Sequence, residues 1–289
     1  MNPDRRLLLA ALPGLALLAA GCPKAPRELS RAARKFLPQV RFDRVNIREI
    51  NFDKADLDFI FAVENPAPLK VALAQFSYAL SLEGKPLFEG KDPDGLKLAA
   101  EAVSKLPFPL TLRWGELAEL LRETKGKDQL GFGLRGDLGF DTPVGLLQLP
   151  YEARGEVPAL RRPRFRLEGL RLAELKPTED RARIALDLGV TNLGGSVFSM
   201  KRFDYKLHLA GDKVAGGLVE ALGAVAADTT QTMTLPIDLS LSGLGGAVVE
   251  AFTRKGRLRA KIKAGLQVGT PWGDLPLEIE EAEELDIKG

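Results

Sequence analysis

Few side chains in this sequence could do chemistry, and they do not cluster. The 289-residue chain has one thiol, Cys22, and one imidazole, His208. A thiolate is a nucleophile and a metal ligand. A single Cys and a single His do not assemble a zinc site or a Ser-His-Asp relay. The carboxylates offer one arrangement to weigh. In "NFDKADLDF", Asp53, Asp56 and Asp58 lie close together, and Asp56 and Asp58 share a face if the stretch is a strand. Two carboxylates can divide acid and base work or hold Ca²⁺; a solvated strand face accounts for them equally. His208 falls on the outward phase between Leu207 and Leu209, beside Asp204 and Lys206, where it would face solvent. No phosphate-cradling loop or nucleotide fingerprint occurs. The formal net charge of +2 is too balanced for a nucleic-acid surface. The reading is of a non-catalytic chain without a cofactor; an enzyme built from carboxylates alone is the weakest alternative.

Cys22 has a more specific context. "MNPDRRLLLAALPGLALLAAGC" sets Arg5 and Arg6 before an uncharged run from Leu7 to Ala20, interrupted by Pro13 and Gly14. A basic start, a short apolar stretch and small residues at the end describe an export signal. The run is shorter than the roughly 20 apolar residues of a spanning helix. "LAAGC", Leu18 to Cys22, resembles the bacterial lipobox, with Leu18 at −4 and Ala19 at −3 a slight departure. In that reading Cys22 is the first mature residue and its thiolate takes up lipid. The alternatives are a plain secretory signal with an incidental Cys, or a buried free thiol. With no second Cys there is no disulfide framework to claim it. Residues 1–21 are thus expected to be a signal peptide and 22–39 a membrane tether. Arg27, Arg31, Arg34 and Lys35 in the tether could lie on anionic headgroups, at about 1 kcal/mol each, or simply be solvated. Pro23 rather than Asp follows the Cys, which favours the outer membrane, facing the periplasm. The expected partners are the membrane, through acylated Cys22, and an unidentified envelope protein or lipid.

The rest of the chain writes one pattern twice. "FAVENPAPLKVALAQFSYALSLEGKPLFEG" (61–90) and "LGVTNLGGSVFSMKRFDYKLHLAGDKVAGG" (188–217) match without gaps at an offset of 127. Val63, Asn65, Phe76, Tyr78, Leu80, Leu82, Gly84 and Gly90 recur as Val190, Asn192, Phe203, Tyr205, Leu207, Leu209, Gly211 and Gly217. Asp56 does not recur, since Arg183 stands at its place. A period this long, seen twice, means two tandem domains rather than a solenoid. The expected domains are 40–158 and 163–288, joined by the linker "PALRRP".

Each unit alternates apolar and polar residues in several short stretches: "DLDFIFAV" and "RIALDLGV", "FSYALSLEG" and "FDYKLHLAG", "PFPLTLRW" and "MTLPIDLSL". Strict alternation argues strands with one face on a core. "EGKP" and "AGDK" supply turns with Gly. The period then changes. "WGELAELLRETKG" carries Leu117, Leu120 and Leu121 at helical spacing; "GLGGAVVEAFTRKG" carries Val248, Val249 and Phe252. Each predicts a helix of about ten residues, stopped at Gly126 and Gly256. Two further strands close each unit. The fold class is mainly β: two tandem antiparallel sandwiches, each of about seven strands and one short helix.

An alternating strand ending in Val-x-Asn, an aromatic-x-Tyr-x-Leu-x-Leu-x-Gly strand, a second Gly six residues on and a short late helix resemble the type 2 late embryogenesis abundant family, also called the water stress and hypersensitive response domain. The resemblance covers both units, at 40–158 and 163–288. Unit one carries Asn65-Pro66 intact, whereas unit two has Asn192-Leu193. The family implies a fibronectin-III-like sandwich and a link to desiccation or osmotic stress, with bacterial members as lipoproteins. Asn65, Pro66 and Asn192 are carried over as strand-end residues only. An alternative is a periplasmic lipid-binding protein with an elongated apolar cavity in the sandwich core.

Overall fold

The computed structural model of the chain describes residues 37–92, 97–142 and 145–288. Residues 1–21, expected to be a signal peptide, Cys22 and most of the expected tether lie outside them. The first sandwich begins with β1 (Gln39–Ile50), β2 (Lys54–Asn65), β3 (Val71–Leu82), β4 (Lys85–Asp92) and the short β5 (Lys97–Leu98). It continues through β6 (Ala102–Arg113), helix α1 (Ala118–Glu123), β7 (Gln129–Thr142) and β8 (Gly145–Pro158). β2 and its neighbours form the sheet β1-β2-β6; the facing sheet runs β4-β3-β7-β8, with β5 on the edge of β3. The helix sits between the fifth long strand and the sixth. This three-plus-four order is that of a fibronectin-III-like sandwich.

The second sandwich repeats the order with β9 (Arg164–Lys176), β10 (Arg181–Thr191), β11 (Phe198–Leu209), β12 (Asp212–Val225) and β13 (Thr230–Ser240). Helix α2 (Gly246–Arg254), β14 (Arg257–Thr270) and β15 (Gly273–Lys288) complete it. Here the two sheets are stitched along one edge. β15 pairs parallel with β9 at Ile287–Leu170 and Lys288–Arg171, so all seven strands lie on one hydrogen-bonded path.

Alternation puts Leu57, Phe59, Phe61 and Val63 inside, each at most 1% exposed, against Phe132, Leu134 and Leu138 of β7. The first core is aromatic: Phe59 meets Phe132 edge-on at 4.9 Å, Phe61 meets Tyr151 at 5.0 Å, and Phe76 meets Phe108 at 4.8 Å. Edge-on pairs at these distances set the ring's positive rim against a negative face. The second core is mainly aliphatic, with Leu186, Leu188, Leu207, Leu209 and Ile262 fully buried around Phe203. Both β3–β4 and β11–β12 hairpins turn on an Xaa-Gly pair in the left-handed region, Glu83-Gly84 and Ala210-Gly211, the geometry that matches strand twist.

Several expectations are corrected. α1 has six residues rather than about ten, because residues 114–117 form turns ahead of it and residues 124–126 turn away after it. α2, with nine residues, has the expected length. Its buried pair is Val248 and Ala251, while Val249 is 45% exposed. Its left-handed stop is Lys255, ahead of Gly256. β1 and β9 are absent from the sequence pattern because each carries two irregularities in register, and a bulge breaks period-two alternation. The linker between the sandwiches packs against the first of them. Ala159 and Leu160 are buried, and Arg161 donates to the carbonyls of Leu121 (3.1 Å), Thr124 (2.7 Å) and Lys127.

Candidate functional site

Asn65 and Asn192 make the same three contacts. Asn65 is fully buried, and Asn192 is 4% exposed. The amide of Asn65 donates to Leu69 O (2.8 Å) and Ala99 O (2.9 Å), and its carbonyl accepts Ala67 N–H (3.2 Å). The amide of Asn192 donates to Ser196 O (2.8 Å) and Val225 O (3.1 Å), and its carbonyl accepts Gly194 N–H (2.8 Å). Both side chains thus satisfy backbone groups two and four residues on and one remote carbonyl, turning the chain off a strand. Pro66 follows Asn65, half-buried, at the same turn.

The second Gly of the motif also has a packing reason. Gly90 lies opposite Tyr78, and Gly217 opposite Tyr205, across neighbouring strands. A Cβ on Gly90 would stand 2.6 Å from Tyr78 Cζ and 2.9 Å from Cε1. The ring lies over the glycine, so the pair is a unit.

The carboxylates are taken up by cations. Asp56 accepts Lys54 Nζ (2.5 Å) and the Thr111 hydroxyl (2.6 Å). Asp58 pairs with Arg48 (3.0 Å). The Lys54 ammonium, then the Thr111 hydroxyl, hold the Asp56 carboxyl below its usual range. Among the described residues no three His, Cys, Asp or Glu groups come together as a metal site would require. His208 is half-buried rather than solvent-facing. Its Nδ1 is buried and makes no hydrogen bond among the described residues, and Lys213 and Lys261 stand opposite on the flanking strands.

One feature that no sequence pattern announced is a cleft of about 820 Å³ where the sandwiches meet. Its floor includes Phe52, Trp114, Leu121 and Leu160, all less than a tenth exposed, together with Leu193 from the Asn192 loop. Its rim carries Arg122, Lys125, Arg162 and Arg164, against one acid, Asp53. Lys125 is engaged by Asp228 (2.7 Å), and Arg162 donates to Glu278 O. The junction below is held by Asp128, whose carboxylate accepts Gly195 N–H (2.6 Å) and the Ser196 hydroxyl. Residues from α1, the 51–53 turn and the 160–164 segment converge only in the fold. Each is unremarkable in its own stretch, except that "LRRPR" packs three arginines beside a buried Leu. An apolar floor with a cationic rim suits an amphipathic anion. In the first sandwich the rings of Phe59 and Phe132, and of Phe61 and Tyr151, pack against one another in the interior, and the cleft lies outside it.

The family of late embryogenesis abundant proteins matches residues 61–155 and 187–282. The probable desiccation-related protein LEA14 of Arabidopsis thaliana is 24% identical over 121 residues, 42% of this chain and 80% of that protein. The desiccation-related protein At2g46140 of Arabidopsis thaliana is 25% identical over 127 residues, 43% of this chain and 76% of that one. The solution structure of At2g46140.1 covers 45% of this chain and 75% of its own at 23% identity, with a TM-score of 0.39.

Proposed function

The chain belongs to the late embryogenesis abundant type 2 family, and we propose that it works as a non-catalytic binding and protective module held in the cell envelope by lipid on Cys22. The anchor reading is supported by "LAAGC" at the end of an export-like segment. The link to drying or osmotic stress is supported by the desiccation-related names of the two plant relatives. The observation that carries the binding reading is the junction cleft, with its apolar floor and its cationic rim. Its lining offers no thiol, imidazole or paired carboxylates for catalysis. The occupant that suits it has an apolar body and a carboxylate or phosphate head.

Trp114 lines the cleft, and Trp272 is the other tryptophan of the chain. In a Trp272→Phe background the emission of Trp114 therefore reports occupancy. Dodecanoate is expected to shift that emission saturably. Arg122→Glu with Arg164→Glu should weaken binding about tenfold or more, a loss of at least 1.4 kcal/mol. No saturation, or an equal response to neutral dodecanol, would overturn the cleft reading. Cys22→Ser should release the chain from the membrane fraction; retention there refutes the anchor. Protection during drying is measured on a labile enzyme, and a result no better than albumin counts against it.

A further inference from the structure

The two sandwiches end differently, and the difference leaves a pocket. Leu112 pairs with Ala55 in the first, and Leu239 pairs with Ala182 in the second. Two residues later stand Trp114 and Leu241. Their main-chain N–H groups make the same bond, to Asp53 O (3.0 Å) and Asp180 O (3.2 Å). Trp114 and Leu241 are therefore one structural position. In the first sandwich it holds an indole, 6% exposed, with its ring N–H on Asn51 O (2.7 Å). In the second it holds a side chain with no ring. Phe52, also buried, has the exposed Glu179 at its place 127 residues on.

Under α2, at this end, lies a pocket of about 240 Å³. Leu172, Leu239, Leu241 and Phe252 are among the residues that form it, and Leu175 and Val249, 52% and 45% exposed, form its mouth. No lining side chain is charged. The one hydroxyl, Thr253, is spent on Val249 O (2.8 Å). A cavity of about 150 Å³ lined by Leu, Ile and Phe stays dry and takes up benzene. This one has room for two fused rings, the size of the group its own duplicate carries at the same position. We propose that the pocket binds a small neutral aromatic molecule, which takes the place that an indole ring fills in the first sandwich. The proposal stands without the anchor and without the junction cleft.

The test uses indole with the chain from residue 22 onward, followed by methyl NMR. Saturable shifts are expected at Leu172, Leu241, Leu244 and Val249, with indole favoured over its charged analogue indole-3-acetate. Leu241→Trp should lower the affinity about tenfold or more, since the chain then supplies its own ring. Val249→Glu, at the exposed mouth, should also weaken binding and serves should Leu241→Trp not fold. No saturation up to the solubility of indole overturns the proposal. So does unchanged affinity in a folded variant, or tighter binding of indole-3-acetate.

Discussion

Replacing Asn192 by Ala removes three hydrogen bonds at once and nothing else of note. The amide sits 2.8 and 3.1 Å from the carbonyls of Ser196 and Val225, and its oxygen accepts Gly194 N–H at 2.8 Å. With the side chain 4% exposed, water does not replace it freely. Each buried polar group left without a partner costs about 1–3 kcal/mol, so even at the low end of that range the three together should cost about 3 kcal/mol. For a domain of this size that is a fall of roughly 10 °C in Tm. Urea unfolding followed by circular dichroism measures it. Asn192→Asp is the sharper probe. It keeps the acceptor for Gly194 and sets a carboxylate oxygen against two carbonyl oxygens. Burial and those dipoles raise the new carboxyl's pKa above its unfolded value of about 3.9. The penalty is then full above the raised folded-state pKa and disappears as pH falls below the unfolded one. Asn192→Asp should be less stable than Asn192→Ala at pH 7 and should recover in acid. An Ala variant that loses under about 0.5 kcal/mol, within the ordinary surface range, refutes this reasoning. So does an Asp variant as stable as the parent at neutral pH, because the amide would then not be donating to those carbonyls.

Gly90→Ala should destabilise the first sandwich by about 1–3 kcal/mol, and Tyr78→Ala in the same chain should recover part of that loss; full additivity in urea unfolding would contradict the packing of Tyr78 over Gly90. Tyr151 donates to Ser77 O (3.0 Å), and burial, then the Asp137 charge, push its pKa up. Its contribution is therefore complete below about pH 10, where unfolded Tyr ionises, and is lost as pH climbs toward the folded value. Tyr151→Phe should flatten that alkaline slope, and an unchanged slope would assign it elsewhere.

The strands that alternate over most of their length were legible because one face meets a core and the other meets water: Leu57, Phe59 and Phe61 of β2, Leu80 and Leu82 of β3, Ile184, Leu186 and Leu188 of β10, and Phe203, Tyr205, Leu207 and Leu209 of β11 are buried as the pattern expects. β1 and β9 were not, since bulges shift the phase mid-strand. The length of α1 was overread, because apolar spacing at 117, 120 and 121 says where a helix packs and not where its backbone starts and stops. The motif residues could be located but not explained. Nothing in "SYALSLEGKPLFEG" says that a tyrosine lies over a glycine twelve residues on. The junction cleft was invisible for a simpler reason: its floor and rim come from four separate stretches, 52–53, 114–125, 160–164 and Leu193, and no period links them.

What the duplication repeats and what it drops separates scaffold from binding surface. The asparagine turns and the tyrosine–glycine pairs occur in both halves with the same partners, so they belong to the sandwich itself. The devices at the ends do not repeat. β7 begins at Gln129 and β14 at Arg257, which sets Asp128 against Gly256. The carboxylate that grips Gly195 and Ser196 at the junction therefore has no counterpart beyond α2. The corresponding end of the second sandwich lacks that carboxylate. It carries instead exposed Leu175 and Val249 around an apolar pocket. In the first sandwich the corresponding end is closed by Trp114 and Phe52 and overlaid by Leu160 and Leu193. One end was converted into a joint, and the other kept the space that the joint's aromatics fill. Binding specificity in a tandem pair of this kind should accordingly reside at the sandwich ends, where the two copies of one strand pattern meet different neighbours.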